Sequence, residues 1–145
     1  MFIGQHNTSL DAKNRLTLPA RYKGVLSDGV YITQGFDRNL LILTNEAFDE
    51  ILHSIKGMNI ANPLARLLFR MILGSAAKLD LDRNGGVFVP QELIDFANID
   101  KEALLVGQGD YLEVWAPHLW HEQEISLNNV EANAHRFAEL TICTG

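Results

Sequence analysis

The spacing of apolar residues along the chain predicts short strands that alternate with amphipathic helices. Apolar runs of the β type cover Val30 to Thr33 and Leu40 to Leu43, on either side of the polar turn Asp37-Arg38-Asn39. From Glu46 to Lys56 the apolar residues instead follow the period of a helix with one buried face. The first half of the chain therefore predicts a strand-turn-strand-helix unit.

A similar order of elements is predicted for the second half. It comprises a strand at Val87 to Val89, a helix at Pro90 to Asn98, strands at Leu104 to Val106 and Leu112 to Trp115, and a helix from Pro117. Near the start, Phe2 to Gln5, Thr8 to Asp11 and Leu16 to Leu18 are predicted to be extended, with a turn at Ala12 to Asn14 and a short helix opened by Pro19. A connecting helix begins at Asn62-Pro63 and ends at Gly74-Ser75, and a last helix spans Asn129 to Glu139.

An internal repeat explains why the order recurs. Leu10 to Pro19 (LDAKNRLTLP) returns as Leu81 to Pro90 (LDRNGGVFVP), and Gly35 to Leu43 resembles Gly107 to Trp115. Half of a 145-residue chain is too short to bury a sizeable core by itself. We therefore expect an α+β fold in which two copies of one unit intertwine in a single domain.

Composition places the chain among globular proteins. Apolar residues make up 47% and charged residues 21% of the sequence, and no apolar run approaches the roughly 18 residues that a membrane span needs. The single cysteine, Cys143, has no partner for a disulfide within the chain. We expect a cytoplasmic protein without membrane contacts.

Two pairs of side chains raise the possibility of an enzyme. His118 and His121 have a helical i, i+3 spacing, and Asp80 and Asp82 would face the same side of a strand. No third metal ligand and no catalytic motif accompanies either pair, so solvated side chains are the better interpretation. We predict no enzymatic activity, no metal, no cofactor and no small-molecule substrate.

Charge is distributed unequally between the two copies. The chain as a whole has a net charge of −6, which argues against a diffusely basic surface for nucleic acid. The segment from Asp11 to Lys23, however, holds four basic side chains and one acidic one, for a net charge of +3. The equivalent segment of the second copy, Asp82 to Ile94, has a net charge of −1. The first copy thus carries a local basic patch.

The turn before Leu16 is the candidate for DNA contact. A tight turn between two strands presents Lys13 and Arg15 outward, and a two-stranded ribbon fits the DNA major groove, where Arg pairs bidentately with guanine. Arg15 also lies four residues after Asp11. A local ion pair that only closes the turn is therefore the alternative interpretation.

These segments resemble the MraZ family of transcriptional regulators. The matching residues are Met1 to Gly4, Leu10 to Leu16 and Leu18 to Tyr22 in the first copy, and Ala76 to Asp82 and Leu112 to Trp115 around the second motif. The resemblance implies a duplicated, swapped-hairpin AbrB-like β-barrel with a pseudo-two-fold repeat and flanking helices. With it, we divide the chain into a first repeat at 1–57, a connector helix at 58–78, a second repeat at 79–125 and a C-terminal helix and tail at 126–145.

The chain departs from the family pattern at two positions. Asn14 stands where the first motif usually has Gly, and Asn tolerates a positive φ, so we expect the turn to form. Gly86 stands where the second motif usually has Arg, so that copy lacks the charged side chain. We expect that Gly86→Arg strengthens DNA binding or lengthens the footprint on DNA, because it restores the family's side chain.

The resemblance and the charge pattern together define the candidate site. DNA contacts are predicted for Lys13, Asn14, Arg15, Arg21, Lys23, Arg83 and Asn84, and a loop-shaping role is predicted for Asp11, Asp82, Gly85 and Gly86. Arg66 and Arg70, four residues apart on the connecting helix, are instead predicted to form ion pairs at a helix or subunit interface.

The resemblance also implies partners and a location. It implies a nucleoid-associated ring homo-oligomer that binds direct repeats in the promoter of its own division and cell-wall gene cluster. A ring repeats the Arg15 loop, so several weak contacts act at a high effective concentration. The alternative is an oligomeric scaffold with weak or no DNA binding, because the second motif has Gly86 in place of Arg.

Overall fold

Strands and helices alternate through residues 1–143, which are the residues that the computed structural model describes. The strands are β1 (Gln5–Ser9), β2 (Arg15–Thr17), β3 (Val30–Gln34), β4 (Leu40–Leu43), β5 (Ala77–Leu79), β6 (Gly86–Phe88), β7 (Glu102–Gly107) and β8 (Tyr111–Trp115). The helices are α1 (Asn45–Lys56), α2 (Pro63–Ile72), α3 (Gln91–Phe96), α4 (Pro117–Leu127) and α5 (Val130–Arg136), with 3₁₀ turns at Ala20–Tyr22 and Phe137–Glu139.

The strands of the two copies are intertwined. Six of them form an antiparallel sheet in the order β1-β7-β8-β4-β3-β5, and β2 and β6 form a separate antiparallel ribbon. Exchanging β1 to β4 with β5 to β8 reverses the order of the sheet and preserves every pairing. The duplicated α+β fold is therefore confirmed, with a pseudo-two-fold relation between the copies. The first strand of each copy pairs with the third strand of the other.

One core belongs to both copies. Its fully buried side chains include Leu16, Ile32 and Leu40 from the first copy and Val87, Leu105 and Leu112 from the second. Leu16 and Val87 lie directly opposite each other in the ribbon. Neither copy encloses this core alone, because side chains of both copies form it.

Two helices cover the outer side of the sheet at equivalent positions. Phe48 of α1 stacks on Tyr31, with ring centroids 4.0 Å apart, and Trp120 of α4 packs edge-on against Trp115 at 5.5 Å. Each helix brings one large aromatic ring against an aromatic ring of the sheet. The two helices are equivalent, but their aromatic partners are not, because Tyr31 lies on β3 and Trp115 lies on β8.

Several bounds differ from those that the sequence predicts. The extended segment before Asp11 is one strand, β1, because Gly4 adopts φ 83° and breaks the chain before it. The helix that Pro19 opens is a single 3₁₀ turn. The last helix ends at Arg136 and continues as the second 3₁₀ turn.

The connector also differs from its prediction. Only Pro63–Ile72 is helical, and Ala77 already belongs to β5, so the segment 58–78 is not one helix. Arg66 donates hydrogen bonds of 3.0 Å to the carbonyls of Ile60 and Ala61, and within residues 1–143 neither Arg66 nor Arg70 forms an ion pair. The four-part division of the chain stays a prediction, and residues 144–145 lie outside the described part.

The helices of residues 1–143 are all too short or too polar to span a lipid bilayer.

Candidate nucleic-acid interface

The β2-β6 ribbon has one buried face and one outward face. On the buried face, Leu16 and Val87 are 0% exposed. Side chains alternate along a strand, so Arg15 and Thr17 of β2 share the opposite face with Phe88 of β6. A loop precedes each strand, and we call residues 11–15 the first loop and residues 82–86 the second loop.

The first loop is a tight turn that the Asp11 carboxylate organises. Its Oδ1 accepts hydrogen bonds from the backbone N–H of Lys13 at 2.8 Å and of Arg15 at 3.0 Å. The N–H of Asn14 donates to the Asp11 carbonyl, and Asn14 takes φ 59°. That left-handed conformation is unusual for residues other than Gly, and Asn is among those that adopt it most readily. The turn therefore forms although Asn14 replaces the glycine that is usual in the family.

The second loop repeats this geometry. Oδ1 of Asp82 accepts from the backbone N–H of Asn84 at 2.9 Å and of Gly86 at 2.7 Å. Gly85 occupies the left-handed position with φ 76°, equivalent to that of Asn14. Each loop therefore receives its shape from its own Asp and from one residue with a positive φ.

The hydrogen bonds to Asp11 also lower the pKa of its carboxyl. The backbone N–H groups of Arg15 and Lys13 lower the pKa of the Asp11 carboxyl below its usual value, with smaller contributions from the charges of the same two residues. The carboxylate is therefore ionised at neutral pH.

The two loops are tied to each other across the ribbon. The N–H of Leu18 donates to the Gly85 carbonyl at 2.9 Å, and the N–H of Val89 donates to the Asn14 carbonyl at 2.8 Å. The Lys23 Nζ donates to the carbonyl of Arg83 at 3.1 Å, which brings a cation of the first copy onto the second loop. Both loops thus belong to one surface.

Six of the seven residues predicted to contact DNA lie on or against these loops. The exposed side chains on the loops are Lys13, Arg83 and Asn84, joined by the half-buried Asn14 and Arg15 and by Lys23. Arg21 differs, because its guanidinium group contacts the Ile3 carbonyl, the His6 ring and the Tyr22 hydroxyl. Its donors are therefore directed at the start of the chain.

The Arg15 side chain is held between the two copies. Its guanidinium Nε lies 3.9 Å from Oδ2 of Asp82 in the second loop, and 42% of the Arg15 side chain is exposed. The sequence suggested Asp11 as the partner of a local ion pair, but Oδ1 of Asp11 bonds to the backbone instead. The ion pair that exists connects the two loops and leaves part of Arg15 accessible to a ligand.

Comparisons with known proteins agree with the fold. The family model described as "MraZ protein, putative antitoxin-like" matches the chain twice, over residues 1–71 and 72–140. The chain belongs to the MraZ family. The two matches correspond to the two intertwined copies of the fold.

Three relatives that match nearly the full length of the chain are each named Transcriptional regulator MraZ. The protein of Roseiflexus castenholzii is 36% identical over 139 residues, which cover 96% of this chain and 95% of the relative. The protein of Clostridium acetobutylicum is 33% identical, and the match covers 98% of this chain and 100% of the relative. The protein of Ureaplasma parvum serovar 3 is 34% identical, and the match covers 100% of this chain and 99% of the relative.

Phe88 belongs to the same surface, although the charge pattern of the sequence does not indicate it. It lies opposite Arg15 in the ribbon, on the outward face, and is 44% exposed. The alternation of the strand between Val87 and Val89 is the signal that places Phe88 outward. In this MraZ protein an aromatic ring therefore stands beside the arginine.

The alternative enzyme pairs do not assemble into sites. His121 lies 3.8 Å from Glu124 on the exposed side of α4, and Asp82 is engaged in the second loop. Across residues 1–143, no three side chains of His, Cys, Asp or Glu come together as metal ligands. The names of the MraZ relatives describe regulators, which favours the prediction that this chain is not an enzyme.

Proposed function

We propose that this protein is a transcriptional regulator that binds DNA sequence-specifically through the outward face of the β2-β6 ribbon. The observation that carries the proposal is Arg15, a partly exposed guanidinium on a ribbon whose other face is buried and whose loops hold further cations. Membership of the MraZ family, with its relatives named as transcriptional regulators, supports it.

The chemistry of each side chain suggests its part. The Arg15 guanidinium can donate two parallel hydrogen bonds to guanine in the major groove. Lys13 and Arg83 at the loop tips can instead contact DNA phosphates. Phe88, opposite Arg15 in the ribbon, can make an apolar contact with the methyl group of thymine. Lys23 contributes positive charge above the second loop. We propose that Arg15 specifies the sequence and the other cations fix the register.

We further propose that the protein acts as a ring oligomer. Two segments of the chain are rich in exposed apolar side chains: Ile60, Leu64 and Leu67 on and before α2, and Ile125, Val130, Phe137 and Leu140 toward the C-terminus. Beside the first segment, Met58, Leu68 and Met71 line a cavity of about 470 Å³. Two different apolar surfaces support a head-to-tail contact, which closes into a ring when its rotation permits.

A ring would present one ribbon per subunit. Direct repeats in the promoter of the protein's own division and cell-wall gene cluster are the proposed target, in the nucleoid of the cytoplasm. Each ribbon then contributes a weak contact at high effective concentration. One basic loop per chain suffices under this arrangement, even with Gly86 in the second loop.

The test is fluorescence anisotropy with a labelled duplex from upstream of the protein's own gene and a scrambled duplex of the same composition, across a salt series. Arg15→Ala is expected to reduce the preference for the native duplex at least about fivefold, because one bidentate base contact contributes about 1–3 kcal/mol of discrimination. Lys56→Ala, which removes the same charge from the end of α1, is the matched control and is expected to retain the preference.

Each other outcome has a definite meaning. Equal affinity of the wild-type protein for both duplexes, with the salt dependence of phosphate contacts, would refute sequence-specific binding. Absence of binding to either duplex would refute DNA binding altogether and would favour the oligomeric scaffold. A preference that survives Arg15→Ala would remove Arg15 from the site.

A further inference from the structure

The only charged contact of the Arg15 side chain within residues 1–143 is to the other copy of the repeat. Asp82 Oδ2 lies 3.9 Å from the Arg15 Nε, while Oδ1 of the same carboxylate receives the two backbone N–H groups of the second loop. One oxygen of Asp82 thus shapes its own loop, and the other faces the arginine of the first loop.

The space for this carboxylate exists because residue 86 is glycine. A Cβ atom built on Gly86 would lie 2.5 Å from Oδ2 of Asp82 and 3.1 Å from its Cγ. A side chain at position 86 therefore requires the Asp82 carboxylate to shift. The first loop shows that the turn itself accepts a side chain at this place, because Arg15 is the equivalent residue and its Asp11 still bonds to the backbone.

We propose that Asp82 is a positioning residue for Arg15, and that glycine at position 86 leaves the space from which the Asp82 carboxylate orients the arginine of the first loop. The inference rests on the proposed DNA binding through Arg15. A guanidinium that is already oriented loses less conformational freedom when it binds its base. The Asp82 carboxylate also repels DNA phosphates when the protein binds in a wrong register. Asp82 then contributes to sequence preference rather than to overall affinity.

The direct test is Asp82→Asn in the full-length protein, measured with the same native and scrambled duplexes. The amide oxygen still accepts the backbone hydrogen bonds of the loop, although more weakly than the carboxylate, and the negative charge near Arg15 is lost. The preference for the native duplex is expected to fall about twofold to fivefold, the range for one exposed ion pair. The affinity for the scrambled duplex is expected to stay the same or to rise, because a negative charge near phosphate is removed.

Two further variants separate positioning from simple charge. Asp80→Asn removes the same charge from an exposed side chain two residues away and is expected to leave the preference unchanged. Gly86→Ala changes no charge but displaces Oδ2 of Asp82, so it is expected to lower the preference as Asp82→Asn does. In an Arg15→Ala background, neither Asp82→Asn nor Gly86→Ala is expected to change the preference further.

Several results would overturn the proposal. If Asp82→Asn raises the affinity for both duplexes equally, as Asp80→Asn does, Asp82 acts only through its charge. If affinity for both duplexes falls together with the melting temperature, Asp82 acts only on the loop. If Arg15→Ala abolishes the preference while Asp82→Asn and Gly86→Ala leave it intact, the positioning role fails and the proposed function stands. If Arg15→Ala itself has no effect, the proposed function fails first.

The inference also changes the expectation for arginine at position 86. From the sequence alone, Gly86→Arg restores a missing cation and strengthens binding. In the structure, the new side chain enters the space of the Asp82 carboxylate that faces Arg15. We therefore expect Gly86→Arg to raise the affinity for both duplexes and to lower the preference between them.

Discussion

Leu16→Ala tests whether the two copies unfold as one cooperative unit. Leu16 is 0% exposed and sits opposite Val87 on the buried face of the ribbon, between the two copies. Truncating a fully buried Leu to Ala typically costs about 2–5 kcal/mol, and we expect about 3–4 kcal/mol here because the site is enclosed by side chains of both copies. For a chain of this length, that lowers the melting temperature by roughly 10 °C.

The assay uses the fact that both tryptophans, Trp115 and Trp120, lie in the second copy. Thermal unfolding is followed by tryptophan fluorescence and by far-ultraviolet circular dichroism at one fixed protein concentration, since assembly makes the melting temperature concentration-dependent. Although Leu16 belongs to the first copy, both signals are expected to shift together. Thr17→Ala, on the outward face of the same strand, is the control and is expected to change stability by about 0.5 kcal/mol or less.

A tryptophan transition that keeps its wild-type midpoint in Leu16→Ala would refute the reasoning. In that case the second copy would unfold independently of the first, and the intertwined pairing of the strands would not create one cooperative unit. If both signals report a loss of less than about 1 kcal/mol in the free energy of unfolding, the burial argument is contradicted instead.

The remaining predictions concern the first loop. Asn14→Ala is expected to lower the stability by about 1–2 kcal/mol, because alanine is strained at φ 59°, whereas Asn14→Gly is expected to be nearly neutral; chemical denaturation of both variants measures the difference, and equal losses would contradict the conformational argument. Asp11→Asn is expected to destabilise the protein near pH 7, and the difference from wild type is expected to shrink as the pH falls from about 4 through the lowered pKa of Asp11, because a carboxyl with a lowered pKa stabilises the folded state only while it is ionised. A difference in melting temperature that does not shrink as the pH falls below about 4 would show that the charge of Asp11 is not the cause.

Much of the local structure followed from the sequence. The apolar periods located β3, β4 and α1, and the internal repeat predicted that a second set of the same elements would follow. These features are local, because they depend on side-chain spacing within one strand or one helix. The bounds were less certain where short-range signals compete, as at the 3₁₀ turn after Pro19 and at the end of α2.

The conformation of the first loop could also be predicted from the sequence. Asp11 was predicted to shape its loop, which it does by accepting backbone N–H groups, and asparagine before Arg15 was compatible with a positive φ. Each of these contacts joins residues at most four positions apart. Such contacts depend on the identity of neighbouring residues and require no knowledge of the rest of the chain.

The partner of Arg15 was decided by the tertiary structure. The sequence offered Asp11, four positions away, but the ion pair is formed with Asp82, sixty-seven positions away. Only the register of the ribbon, in which Leu16 lies opposite Val87, brings the two loops near enough for that contact. The same holds for Lys23 on the second loop and for the Arg21 contacts with the start of the chain. Sequence determined the two units, and their pairing through a shared core decided which side chains meet, because that pairing is a property of the whole chain.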